Sequence, residues 1–192
     1  TVRAVARGEI GPQSNVAIVG AGPIGLMALQ AARIAGAKRV VSFEVAERRI
    51  ELAGKCGATA VVNPAAEDPL QRAREITDGE GFDVVMEAVG SARTAILAGR
   101  LVRTRGRLVV MGVFEEPAPF DFTDLVYRET TVTGCMGGYG MYDHAIDLMG
   151  DARFDGEALI TGRIALDDIV EKGFRPLIEE KFSHAKILVS PR

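Results

Sequence analysis

The chain has 192 residues, enough for one substantial hydrophobic core or for one domain with part of another. Apolar residues make up 47% and charged residues 26%, and the formal net charge of −3 argues against a nucleic-acid-binding surface. No apolar run approaches the roughly 20 residues of a membrane-spanning helix. The two cysteines, Cys56 and Cys135, indicate neither a disulfide framework nor a metal cluster. We therefore expect a cytoplasmic protein without nucleic-acid or membrane partners.

Short apolar, β-rich runs alternate with helical segments, a pattern typical of a parallel α/β sheet. The predicted strands are Asn15–Val19, Val40–Phe43, Ala60–Val62, Asp83–Met86, Arg107–Met111 and Thr130–Thr133. The predicted helices lie near Ile24–Ala35, Ala46–Cys56, Pro69–Thr77, Ala92–Val102 and Gly140–Met149. The fold class predicted from this alternation is α/β, a Rossmann doubly wound six-stranded parallel sheet of order 3-2-1-4-5-6. In such sheets ligands bind beyond the carboxyl ends of the strands.

The alternation weakens after Gly150. Beyond it the sequence predicts a short strand, a helix from about Asp167 and a final strand at AKILVS. We therefore expect residues 1–150 to form the sheet domain and residues 151–192 to form an arm that reaches another domain. A local basic run is interpreted as a solvated helix end and turn; its members are Arg100, Arg103, Arg105 and Arg107.

The stretch GAGPIG joins the first predicted strand to the first predicted helix and has the spacing of a dinucleotide-binding turn. Gly20 permits the tight turn, Gly22 leaves room for a pyrophosphate, and Gly25 lets the helix approach the sheet. Pro23 has a φ suited to a first helical turn. The backbone N–H groups of Ile24 and Gly25 can bind an anion at the helix N-terminus. The alternative is a tight turn that holds no ligand.

Glu44 ends the second predicted strand, about twenty positions after Gly25, where a carboxylate can accept hydrogen bonds from the adenosine ribose. A 2′-phosphate about 4 Å away would be repelled by on the order of 4 kcal/mol. The sequence therefore predicts NAD rather than NADP, unless Arg48 or Arg49 moves in to compensate. The alternative is a surface acid that caps the helix beginning near Ala46.

Six motifs in this order resemble the C-terminal, cofactor-binding portion of the zinc-type medium-chain alcohol and polyol dehydrogenases: GPQSNVAIVGAGPIGL, GATAVVNP, FDVVMEAVG, GRLVVMGVF, TVTG and LITGRIALDDI. Within that family SFEVAERRIELA, IVEKGFRPLI and KILVSP look most like butanediol dehydrogenases and related polyol enzymes. The resemblance implies that Arg49 supports the adenosine end of NAD. It also implies that the residues closing the fourth and fifth strands face the nicotinamide; these are Ala88, Val89, Met111, Gly112 and Val113.

The family binds its catalytic zinc through an N-terminal domain, which we expect to be absent from this chain. The resemblance thus implies an NAD-binding domain at residues 1–150 and an arm at residues 151–192 that returns to the catalytic domain. His144 and His184 are interpreted as solvated residues and the two cysteines as packing residues. We expect no catalytic or metal-binding residue here, with zinc present only in the full-length protein.

The implied enzyme transfers hydride between NAD and a small secondary alcohol or polyol, and this chain alone is expected to be inactive. Two alternatives remain: a zinc-free medium-chain reductase of quinones or enones, and a non-catalytic dinucleotide-binding module. The segment Arg128–Met136 is predicted to be the last strand of the sheet, with an open edge. Because open strand edges pair readily, we expect a homo-oligomer that forms through this edge.

Overall fold

The computed structural model describes residues 1–138, 140–180 and 183–191. One sheet has six parallel strands in the order β3-β2-β1-β4-β5-β6. They are β1 (Asn15–Val19), β2 (Arg39–Phe43), β3 (Ala60–Val62), β4 (Phe82–Glu87), β5 (Val102–Val110) and β6 (Thr131–Gly134). The strand order reverses between β1 and β4, where the connecting loops leave in opposite directions and open a crevice. The predicted doubly wound fold is confirmed.

Helices connect the strands, and several of them, including α2 and α5, pack on the six-stranded sheet. They are α1 (Val2–Gly8), α2 (Pro23–Ile34), α3 (Glu47–Lys55), α4 (Pro69–Ile76), α5 (Ala92–Leu101), α6 (Phe122–Arg128), α7 (Tyr142–Gly150) and α8 (Arg175–Glu179). Two 3-10 turns (Glu157–Leu159 and Leu166–Asp168) and a π-helix (Ile169–Phe174) precede α8. A second, two-stranded parallel sheet pairs β7 (Ile160–Ala165) with β8 (Lys186–Ser190). No helix in the described part of the chain is long and apolar enough to cross a membrane.

The core has two layers, because successive side chains of a strand point to opposite faces of the sheet. On one face Ile18 of β1 packs with Leu26 and Leu29 of α2, and all three are fully buried. On the other face the rings of Phe43 and Phe82 meet edge to face, with centroids 5.9 Å apart. The central strands are therefore held from both sides, and they form a rigid support for the loops at their carboxyl ends.

Three features differ from the sequence prediction. The helices α1 and α6 are seven-residue segments outside the predicted elements, too short to show a clear hydrophobic period. The strand β5 begins at Val102 instead of Arg107, so the interpretation of the basic run as a helix end and turn is wrong beyond Arg100. The cause is a bulge in β5, where Arg105 has a φ of 60° and its guanidinium pairs with Glu129.

The arm, residues 151–192, is fastened to the sheet domain through Gln30 of α2. The buried Gln30 amide donates to the carbonyl of Asp155 at 3.1 Å and accepts from the N–H of Asp155 at 2.6 Å. Leu159 and Ala185 of the arm are buried in the same layer of the core as α2. The base of the arm therefore shares a core with the sheet domain.

Candidate cofactor site

The carboxyl ends of four adjacent strands bring the predicted site residues to one edge of the sheet. Backbone hydrogen bonds continue between the loops beyond the strands. The Gly20 N–H donates to Phe43 at 2.8 Å, and the Ala88 N–H donates to Val19 at 2.9 Å. The edge thus unites the predicted residues that follow β1 (Gly20, Gly22, Pro23, Ile24, Gly25), β2 (Glu44), β4 (Ala88, Val89) and β5 (Met111, Gly112, Val113).

The glycine-rich turn has the backbone geometry that the sequence predicts. Gly20 has a φ of +97°, a conformation that residues with a Cβ rarely adopt. A Cβ on Gly25 would lie 1.8 Å from the carbonyl oxygen of Gly20, so α2 starts directly against the turn. Around Gly22 no described atom lies within 4 Å of a Cβ position, which leaves open space above the turn.

The N-terminus of α2 faces this open space. Pro23 is the first residue of the helix, and no side chain in the described residues caps it. The N–H groups of a first helical turn have no partner within the helix, and the helix dipole makes this end partly positive. The turn can therefore hold an anion such as a phosphate without competition from a capping side chain.

Glu44 is buried rather than a surface acid, with 7% of its surface exposed. Its Oε2 accepts from the N–H of Ala21 at 2.7 Å, and its Oε1 accepts from the N–H groups of Val45 at 2.7 Å and Ala46 at 2.9 Å. The side chain thus joins the glycine-rich turn to the segment that leads into α3, but it does not cap the N–H groups of the first turn of that helix. A carboxylate can accept about four hydrogen bonds, so this one keeps the capacity to bind a hydroxyl group.

Two arginines follow Glu44 and have different surroundings. Arg48 is half exposed and pairs with Glu51 on the next turn of α3, 2.8 Å away. Arg49 is partly buried, and its Nη2 donates to the carbonyl of His184 in the arm at 3.4 Å. The interpretation of His184 as a solvated residue is wrong, because the loop before β8 folds against α3 and leaves 22% of this side chain exposed.

The loops after β4 and β5 offer apolar surface to the crevice. Val89 is 50% exposed and Val113 is 72% exposed, whereas Ala88 and Met111 are half-buried. One methyl group of Val89 lies 2.4 Å from where a Cβ on Gly20 would stand, so this side chain packs directly over the glycine-rich turn. The crevice therefore combines an anion-binding turn with an apolar wall.

Glu87 is a further residue of this edge that the motifs of the sequence do not indicate; it is the last residue of β4 and fully buried, at 0% exposure. Its Oε1 accepts from the N–H groups of Val89 at 3.0 Å and Gly90 at 2.8 Å, and from the hydroxyl of Thr94 at 2.8 Å. Its Oε2 is buried without a hydrogen-bond partner among the described residues. An acid at the end of an apolar strand, within FDVVMEAVG, was the available signal.

The described residues do not supply a donor set for zinc. Among them, no group of three or more His, Cys, Asp or Glu side chains could hold a metal ion. Burial raises the pKa of the Cys56 thiol, and the nearby charge of Asp155 raises it further. Such a thiol is a poor metal ligand, because the thiolate is the binding form. His144 lies exposed on α7, whereas Cys56 is buried.

A separate cavity of about 590 Å³ lies near the amino ends of β4 and β5, between α4, α5 and α6. The predicted site residues do not line it. The open crevice is therefore the candidate cofactor site rather than this cavity, because ligands of doubly wound sheets bind at the carboxyl ends of the strands.

Comparison with known proteins matches residues 23–151 to the family model described as zinc-binding dehydrogenase. The chain belongs to this family. It is 33% identical over 188 residues to (R,R)-butanediol dehydrogenase of Bacillus subtilis (strain 168), and the match covers 98% of this chain and 54% of that relative. The chain spans about half the length of the curated relatives it matches, as the resemblance to a C-terminal, cofactor-binding portion predicts.

Solved structures show the same correspondence. The crystal structure of 2R,3R-butanediol dehydrogenase from Bacillus subtilis superposes with a TM-score of 0.91 at 32% identity, covering 100% of this chain and 55% of that one. A zinc-binding dehydrogenase from Sinorhizobium meliloti 1021 bound to NADP superposes with a TM-score of 0.86 at 31% identity. The match covers 99% of this chain and 56% of that one. Family membership therefore leaves open the choice between NAD and NADP.

Gly25 and Gly22 have opposite surroundings, and this difference predicts how alanine at each position changes the free energy of unfolding. Gly25→Ala should lower the free energy of unfolding by about 1–3 kcal/mol or more, because its Cβ would collide with the Gly20 carbonyl. Gly22→Ala, the matched control, should change it by less than about 0.5 kcal/mol, because its Cβ enters open space. Urea unfolding of both variants measures the difference. Equal stability of the two variants would contradict the close approach of α2 to the turn.

Proposed function

We propose that this chain is the NAD-binding part of a dehydrogenase that transfers hydride between NAD and a small secondary alcohol or polyol. The observation that carries the proposal is the convergence of an uncapped helix N-terminus, an open glycine turn and the buried carboxylate of Glu44 at one crevice. The relation to a butanediol dehydrogenase supports the substrate class. Zinc would be held by residues of the full-length protein other than those described here, so this chain alone should bind cofactor without oxidising alcohols.

Each part of the cofactor has a proposed partner at the crevice. The pyrophosphate would lie over Gly22 at the N-terminus of α2, where N–H donors and the helix dipole favour an anion. The adenosine ribose would donate to Glu44, with Arg49 on the adenosine side. The nicotinamide would lie against the loops that carry Val89 and Val113, together with Ala88, Met111 and Gly112, whose apolar surface would exclude water from the reacting ring.

The arm has a surface suited to a further domain. It exposes a set of large apolar side chains, namely Leu166, Val170, Phe174, Leu177, Ile178, Leu188 and Val189. Large exposed apolar surface of this kind indicates an interaction with another domain or chain. We therefore propose that residues 1–150 are the NAD-binding domain and that residues 151–192 return to a catalytic domain. This exposed apolar surface argues against a self-standing binding module. The two free cysteines fit the reducing conditions of the cytoplasm.

Glu44 is the proposed cause of a preference for NAD over NADP. Its position is fixed by three backbone N–H groups, so the carboxylate cannot turn away from a 2′-phosphate without leaving those donors unpaired. Arg48 is engaged with Glu51, and Arg49 with the arm, so neither arginine is free to compensate without losing an existing contact. Repulsion of the phosphate should therefore persist in the bound state.

Titration calorimetry of the chain with NAD and with NADP tests this choice. We expect tighter binding of NAD by on the order of a hundredfold, about 3 kcal/mol. Glu44→Ala should bring the ratio of the two affinities close to one. The ratio is the informative quantity, because loss of the three backbone contacts weakens both cofactors alike.

Glu47→Ala is the matched control for this prediction, because Glu47 is an exposed acid of the first turn of α3. It removes the same charge near the site, and the affinity ratio should stay at the wild-type value. Equal binding of NAD and NADP by the wild-type chain, or an unchanged ratio in Glu44→Ala, would contradict the assignment of Glu44.

We also propose that the open edge of β6 joins two copies of the chain. The Cys135 N–H donates to Val110 of β5, and alternate residues of a strand point their N–H groups to opposite sides. The N–H of Val132 therefore faces the open edge. Exposed apolar side chains also occur on α6, which precedes β6 in the chain, and on α7, which follows it, including Val126 (69% exposed) and Ile146 (67% exposed).

Val132→Pro tests the edge, because it removes an outward N–H without breaking the bonds to β5. Light scattering should show a dimer for the wild type and a monomer for this variant. Val132→Ala keeps the N–H and should remain dimeric. A Val132→Pro variant with the dimer mass would rule out strand pairing at this edge.

A further inference from the structure

Glu87 is an acidic residue at a buried strand position, where packing alone would favour an apolar side chain. A strand residue in the middle of a sheet is normally apolar, and an ionised carboxylate loses its hydration there. Glu87 nevertheless lies at the end of β4 with 0% exposure. Its Oε1 gathers three donors from the following loop and helix, which are the N–H groups of Val89 and Gly90 and the hydroxyl of Thr94.

The same residue also holds the loop after β5. The backbone carbonyl of Glu87 accepts from the N–H of Met111 at 2.8 Å and from the N–H of Gly112 at 3.1 Å. A Cβ on Gly112 would lie 2.4 Å from Oε2 of Glu87 and 2.2 Å from the backbone nitrogen of Gly90. The two loops therefore touch through backbone atoms, and the Glu87 side chain fills the space beneath them.

The surroundings of Oε2 indicate that hydrogen bonding to the loops, and not packing in the core, explains a carboxylate at this position. It is buried and accepts no hydrogen bond from the described residues, although an unsatisfied buried oxygen is unfavourable. An apolar side chain of similar length would fill the core without that cost. The feature that an apolar side chain cannot supply is the set of three bonds at Oε1.

We infer that Glu87 is a positioning residue that fixes the loops after β4 and β5 for the nicotinamide half of the cofactor. The inference rests on the proposed function, which places the nicotinamide against these two loops. Glu87 would act on the cofactor indirectly, through Val89, Gly90 and the loop of Gly112. The adenosine half, on the side of Glu44, should be independent of it, because β1 and the glycine-rich turn lie between the two sides.

Calorimetric titration with NAD and with ADP separates the two halves, because ADP carries the adenosine and diphosphate but no nicotinamide. Glu87→Met should weaken NAD binding by about tenfold and leave ADP binding within about twofold of wild type. Glu87→Gln, which keeps an oxygen acceptor for the three donors, should restore NAD binding to within about twofold. An equal loss of both ligands in Glu87→Met, or unchanged NAD binding, would overturn the inference.

Thr94→Val provides a second route if Glu87→Met does not fold. It removes the hydroxyl that donates to Glu87, together with the contacts of that hydroxyl with Ser91 in the capping box of α5, so the comparison with ADP is needed to separate the loss of the Glu87 contact from a general loss of stability. We expect about a threefold loss of NAD affinity and an unchanged affinity for ADP. If the affinity for NAD is not lost selectively, the result contradicts the positioning role. A Glu87→Gln variant as weak as Glu87→Met would also overturn it. If the wild-type chain binds neither NAD nor ADP, the proposed function is refuted instead. The failure of the inference and the failure of the proposed function are therefore distinguishable.

Discussion

Two glutamate side chains at the carboxyl edge of the sheet are buried, and each depends on backbone N–H groups to replace its lost water. Glu44 follows β2 and Glu87 ends β4, with β1 between them. Leaving a buried carboxylate without partners costs several kcal/mol, so the loops that supply the donors are constrained to fold around the side chains. The carboxylate of Glu44 fastens the glycine-rich turn through Ala21, and that of Glu87 fastens the loop after β4 through Val89.

This constraint explains how the edge can be rigid at its base and open at its rim. The strands beneath it are packed on both faces, and the bonds at the two carboxylates extend that order into the loops. Above them the N-terminus of α2 and the space around Gly22 stay open. A long ligand with an anionic centre fits such an edge, with one end on each side of β1. This is the arrangement on which the proposed division between an adenosine side and a nicotinamide side rests.

The sequence reveals those parts of the site that depend on spacing along the chain. Gly20, Gly25 and Glu44 lie at fixed intervals after a strand, and the structure places all three at the predicted edge. The side-chain partners of Glu87 lie close to it in sequence, but its position beneath the loop after β5 depends on two loops that meet where Gly112 lacks a side chain, and this meeting was hidden from the sequence. The bulge in β5 was equally hidden, since it depends on register against β4 and leaves no trace in hydrophobic period. Contacts between segments that are distant in sequence are therefore the features of this fold and site that the sequence does not predict.

Hydrogen exchange of the chain with and without NAD reports cofactor binding at each loop without requiring turnover. If NAD lies across β1, exchange should be slower in residues 20–26, 44–46, 88–91 and 111–113 when NAD is present, with little change in β7 and β8. Protection of the glycine-rich turn together with both flanking loops would place the dinucleotide across β1. Unchanged exchange at these segments, or protection confined to the cavity between α4, α5 and α6, would contradict the account.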